Sequence, residues 1–253
     1  MHPQSRHERQ DRRRLHPTAL QDSRCLDGIH VNDWQWTDQE KRASAAEERP
    51  CSPGATSLSN AGTMRKANAH MGTMGIWVAE AYWSAATADS RTVRPIMEIL
   101  SANDVATSVH RHMNDEQDLI KTLTTVGRRE NDKYSTVYIA SHGSPGTIDV
   151  GDDSISLTDL AGVLPGGILD GKLVHFGSCS VLRDEDSVSE FVSTTGARAA
   201  TGFTTDVGWV ESAAFDLLML ATYARYSSIG WFEKAMAREY GDLTTSLGFT
   251  VIR

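Results

Sequence analysis

A chain of 253 residues with 40% hydrophobic and 23% charged side chains suits one globular domain plus a tail. The formal charge of −8 argues against nucleic-acid binding carried by net charge, and three cysteines (Cys25, Cys51, Cys179) are too few for a disulfide scaffold. No window approaches the roughly 18 uninterrupted apolar residues of a membrane helix, so an integral membrane protein is not expected. Charge is uneven: residues 1–70 carry 11 Lys/Arg against 9 Asp/Glu, and the remainder is acidic.

Residues 1–73 read as polar coil. They begin with an Arg-rich run (Arg6, Arg9, Arg12, Arg13, Arg14) and lack sustained periodicity. Such a stretch buries too little apolar surface to offset a backbone ordering cost of about 1–2 kcal/mol per residue. It is expected as a disordered N-terminal extension, with Met64, Met71 and Met74 as alternative starts, and it has no apolar segment of a secretory signal. Cys25 and Cys51 carry no metal-like spacing.

The domain is expected over residues 74–253. Ile76–Trp83 reads as a first strand and Thr92–Leu100 as a short helix with Pro95 in its first turn. Val105–His112 reads as a second strand. Asn114-Asp115-Glu116 signals a helix start, and Leu119, Ile120, Leu123 and Val126 share one face. Thr136–Ala140 is a buried strand. Thr147–Val150 and Ser154–Leu157 pair as a hairpin around Gly151-Asp152-Asp153. A brief helix opens at Thr158 and stops before Pro165. Lys172–Phe176 is another buried strand, followed by a helix near Ser187–Thr194, a strand Ala199–Phe203, helices Glu211–Tyr226 and Trp231–Tyr240, and a last strand Phe249–Ile252. Alternating strands and helices predict an α/β fold: a mostly parallel sheet of about six strands, with helices on both faces.

In such sheets reactive groups sit beyond the carboxyl ends of the strands. The strand ending at Ala140 runs into Ser141-His142-Gly143, and the strand ending at Phe176 into Gly177-Ser178-Cys179-Ser180. If those strands are parallel neighbours, His142 and Cys179 emerge at one edge. Thiolate is the reactive form of cysteine, and a neighbouring imidazole can favour it or act as general base. The backbone N–H groups of Gly143 and Cys179 are candidate oxyanion donors. Alone, a strand-end cysteine reads as a small core residue and a His-Gly pair as a turn; it is their joint placement that points to catalysis.

The order of motifs from Tyr134 to Tyr223 resembles the caspase-like cysteine peptidases, and within them the CHAT-domain type of the clan that includes caspases, separases and gingipains. The resemblance rests on Ile139-Ala140-Ser141-His142-Gly143, Ser156-Leu157-Thr158-Asp159-Leu160, Leu173-Val174-His175-Phe176-Gly177-Ser178-Cys179, Gly196-Ala197-Arg198 leading into a strand, and an acidic loop with Asp206 ahead of a long helix. It implies a three-layer caspase-like sandwich and a cysteine endopeptidase with a His142–Cys179 dyad and no metal or organic cofactor. Its expected partners are a protein or peptide substrate and a regulatory protein, with no nucleic acid and no membrane. Two departures stand beside it: Ser178 precedes the cysteine where many relatives have alanine, and Ser180-Val181 replaces a common Thr-Gly. They motivate the alternative of a catalytically silent module for binding or signalling.

Asp206 is the first candidate to hold a basic P1 side chain, with a turn or helix-capping role as its other reading. Arg183 is the corresponding candidate for an acidic P1, or else a solvated charge. His175, inside a strand, reads as a packed histidine. His110 and His112 share a strand face but have no Cys, Asp or Glu at ligand spacing, which is a weak metal signal. Trp77, Trp83, Trp209 and Trp231 read as core or rim packing. A required free thiol suits a reducing cytoplasm.

Overall fold

Eight consecutive buried residues, Met74–Ala81, form strand β1, which can be covered on both sides only in the middle of a sheet. The computed structural model describes residues 73–84 and 89–253. The extension expected over residues 1–73, with Cys25 and Cys51, lies outside the described residues apart from Thr73.

Helix α1 (Arg94–Ala102) follows, with Pro95 in its first turn and Ile96, Met97 and Leu100 buried. Strand β2 is Ala106–Met113. Helix α2 (Glu116–Val126) starts where the Asp115 side chain accepts the Asp118 N–H at 2.8 Å. Strand β3 is Tyr134–Ala140. The short strands β4 (Gly143–Ser144), β5 (Thr147–Val150) and β6 (Asp153–Ser156) make a separate antiparallel sheet. Helix α3 (Leu157–Val163) is capped by Ser156 Oγ, which accepts the Asp159 N–H. Strand β7 is Leu173–Phe176. Helix α4 (Glu185–Thr195) runs from the Asp184 cap to Gly196, whose left-handed φ of 72° ends it. Strand β8 (Ala199–Phe203), helices α5 (Trp209–Tyr223) and α6 (Ile229–Ser246), and strand β9 (Phe249–Ile252) complete the chain.

The main sheet has the order β2-β1-β3-β7-β8-β9; β9 alone is antiparallel to its neighbour. One face carries Trp77, Val137, Ile139, Val174 and Phe176 against α2, α3 and α4. The other carries Ile76, Val78, Tyr138, Leu173 and Phe203 against α1, α5 and α6. The domain is therefore a three-layer α/β sandwich, as the sequence predicts. Among the described residues no helix is long and apolar enough to cross a membrane.

The connections decide where a crevice opens. The chain leaves β3 and β7 towards the α3/α4 face, but leaves β1 and β8 towards the α1/α5 face. Loops that part to opposite faces leave a gap above the strand ends between them. That gap lies over β1, β3, β7 and β8.

Candidate active site

β3 and β7 are parallel neighbours, with Ile139 opposite Phe176. The residues that follow them therefore leave the sheet at matching height. The two exits are tied together: Gly177 N–H donates to the Ile139 carbonyl at 2.9 Å, and the buried hydroxyls of Ser141 and Ser178 meet at 3.2 Å. A side chain on Gly177 would start 2.5 Å from Cε2 of Tyr138, so glycine is what lets the loop turn over that ring.

His142 and Cys179 line the same cavity of about 140 Å³, together with Trp83, Arg91, Ser141, Gly177, Val207, Trp209 and Ser212. Cys179 is half-buried and free. Its Sγ sits against the loop after β8, 3.5 Å from the Val207 N–H that donates to it and 3.6 Å from the Val207 carbonyl. His142 Nε2 lies 2.9 Å from the Trp83 carbonyl oxygen. A carbonyl can only accept, so Nε2 carries the proton in that contact and Nδ1 is left with the lone pair. The Trp83 indole stands edge-on to the imidazole at 5.3 Å and is itself backed by Trp209 at 4.4 Å, so the loop after β1 covers the histidine and the start of α5 supports that cover.

Gly143 begins β4. The Asp149 N–H donates to the His142 carbonyl at 3.0 Å, which makes Gly143/Ile148 a non-hydrogen-bonded pair and turns the Gly143 N–H away from β5. On its other side a Cβ would lie 2.6 Å from Val181 Cγ2 and 3.1 Å from Ser178 Cβ. The backbone there runs directly over the loop that carries Cys179.

Ser180, immediately after Cys179, has φ 55° and ψ 2°, a left-handed conformation uncommon outside glycine. Two contacts hold it: its N–H donates to the Thr205 carbonyl at 2.9 Å, and its hydroxyl donates to the Asp206 carboxylate. Asp206 thus sits in the loop after β8, clamping the residue next to the cysteine, and is not among the residues lining either cavity described here. Arg183 is exposed, with Nε donating to the Thr204 carbonyl at 2.9 Å. His175 is fully buried under the site, its Nε2 on Asp216 and its Nδ1 on Thr201, both at 3.0 Å.

A larger cavity of about 630 Å³ adjoins, sharing Trp83, Arg91 and His142 with the first and adding Tyr82, Asp89, His112, Asn114 and Asp152. Arg91 and Asp89 form a forked pair, with Nη2 to Oδ2 at 2.7 Å and Nε to Oδ1 at 3.0 Å. Hydrogen bonds from Arg91, helped by its charge, bring the Asp89 carboxyl down to about 2. It is a fixed anion at working pH.

Asp89, Arg91 and Val207 carry no motif or spacing signal because they come from loops after β1 and β8, while Trp83, expected as core or rim packing, lines the cavity beside His142. Glu80 stands inside β1, and its partners come from β2 and from the segment before α1, so no local spacing marks it. It is buried at the end of β1 and accepts four hydrogen bonds: from Trp83 Nε1 (2.9 Å) and Val93 N–H (2.8 Å) on Oε1, and from Thr92 Oγ1 (2.8 Å) and His110 Nε2 (2.6 Å) on Oε2. Burial alone would raise its pKa, but these donors outweigh it and hold the carboxyl below its ordinary value.

Strand ends, parting loops and a shared cavity define an α/β protein with a site at the carboxyl edge of its sheet. The chain belongs to a family of unknown function, DUF6642, which it matches over residues 73–252. A search of the curated proteins finds no match.

Proposed function

We propose that this protein is a cysteine endopeptidase of the caspase-like, CHAT-domain type, hydrolysing peptide bonds of a protein substrate through His142 and Cys179. The observation that carries this reading is the single cavity into which both side chains open from neighbouring parallel strands. His142 Nδ1, the nitrogen with the lone pair, takes the thiol proton. The thiolate attacks the substrate carbonyl carbon, and the N–H groups of Gly143 and Cys179 receive the developing oxyanion. The imidazolium returns its proton to the leaving amine. Water, deprotonated by the same ring, then hydrolyses the thioester and frees the cysteine.

The Val207 N–H and carbonyl, at 3.5 and 3.6 Å from Sγ, hold the sulfur against the loop after β8. The Trp83 carbonyl keeps the imidazole in one tautomer and one orientation. Asp206 supports the loop through Ser180, and a contact with a basic P1 side chain requires that side chain to reach beyond the two cavities. The 630 Å³ cavity, reached past His142, is the candidate seat for substrate residues next to the scissile bond.

Digestion of a peptide library read by mass spectrometry tests the reading and reports P1 together. Wild-type protein should cut at a restricted set of bonds and Cys179→Ala at none. Identical product patterns from both proteins would overturn it.

A further inference from the structure

We propose that Glu80, His110 and His112 form a binding site for a divalent transition-metal ion of the zinc type, at the carboxyl edge of β1 and β2. The parallel register sets Glu80 opposite His112 and Val78 opposite His110. Strand alternation then puts both imidazoles on the face where Glu80 meets the start of α1. Each residue offers a ligand atom, and the three atoms lie within 4.8 Å of one another. Ligands bound at about 2.0–2.2 Å in a tetrahedron stand roughly 3.3–3.6 Å apart, so side-chain adjustments of about 1–1.5 Å gather the three atoms. His112 can make them, because its side chain is exposed and its ring meets only the His110 ring at 5.2 Å and that of Tyr82, itself 58% exposed.

Two Glu/His features favour an ion over a plain hydrogen-bonded cluster. The Glu80 carboxylate is 1% exposed, and its facing partner that can carry positive charge is a histidine, not a lysine or arginine. Its other donors, Trp83, Val93 and Thr92, fix its orientation in the way that outer hydrogen bonds fix a ligating carboxylate. The His110 ring is nearly as deep, and its Nδ1 meets no hydrogen-bond partner among the described residues. The chain leaves the polar complement of this cluster incomplete. Two imidazoles and one carboxylate are a donor set that zinc accepts, and it leaves a fourth position open. His112 lines the 630 Å³ cavity, whose wall also includes His142.

The test is a titration of the full chain with Co²⁺ and Zn²⁺, made in the Cys179→Ala background so that no thiol of the neighbouring cavity competes. One equivalent should bind with the visible absorption of four-coordinate Co²⁺, and His112→Ala, at an exposed position that the fold does not need, should remove that absorption and weaken the site by about tenfold or more. Residues 1–72 carry five further histidines and two cysteines, which are common to both proteins and cancel in the comparison. Equal stoichiometry, affinity and spectrum in His112→Ala would overturn the proposal. The readout uses no proteolysis, so it stands or falls separately from the peptidase reading.

Discussion

Replacing His142 by alanine should lower peptide cleavage by about 10²–10⁴-fold, the usual worth of a positioned general acid–base, with the fold intact. The side chain lies in the cavity, held by the Trp83 carbonyl and the indole edge and not by the core. Its removal takes away the base for the thiol and the acid for the leaving amine in one step. The loss should fall on kcat, since the groove beside it keeps its other walls. Circular dichroism and thermal unfolding should match the wild type within error. Cys179→Ala should go further, to no measurable turnover, because no other described cysteine exists to replace the nucleophile. If His142→Ala cleaves at the wild-type rate, the imidazole is not the base and the mechanism above is wrong.

The second large effect concerns stability. Asp216→Ala should cost about 2–5 kcal/mol, because two buried groups lose their hydrogen-bond partner at roughly 1–3 kcal/mol each, out of a total of about 5–15 kcal/mol for a domain. Asp216 reaches down from α5 and is buried. Its Oδ2 accepts the Tyr138 hydroxyl at 2.5 Å, and its Oδ1 meets His175 Nε2 at 3.0 Å. Thr201 takes the other ring nitrogen. Burial, then the Asp216 charge, push the Tyr138 phenol well above its ordinary range, so it stays protonated and donates. Without the carboxylate a hydroxyl and a ring nitrogen are left buried and unpaired, in the strands that carry His142 and Cys179. Asp216→Asn keeps one acceptor and one donor in place and should cost far less. Urea unfolding of the two variants measures the difference; equal, small losses would show that the network is not what binds α5 to the sheet.

These two sites differ in how readable they were. The buried strands were legible because Val137–Ala140 and Leu173–Phe176 are short apolar runs, and a mostly parallel sheet of about six strands followed from helices alternating with them; the order of those strands was not encoded locally. The hairpin of β5 and β6 was legible from its turn residues. The apolar pattern extends the first strand over Ile76–Trp83, whereas the strand is Met74–Ala81, because Tyr82 and Trp83 are apolar for the rim and not for the sheet. β4 was not seen at all: two residues, Gly143 and Ser144, have no periodicity to read. His142 and Cys179 were visible because each follows its own strand directly. Glu80 and His110, 30 residues apart, and Tyr138, His175 and Asp216 meet only through register and helix packing, which no local spacing encodes.

The most direct measurement is covalent labelling of the wild-type chain near neutral pH with an acyloxymethyl-ketone peptide probe, followed by mapping of the modified residue. The geometry predicts fast modification at Cys179, little at Cys25 and Cys51, and loss of that selectivity in His142→Ala. Labelling of all three thiols at one slow rate, unchanged by His142→Ala, would contradict it.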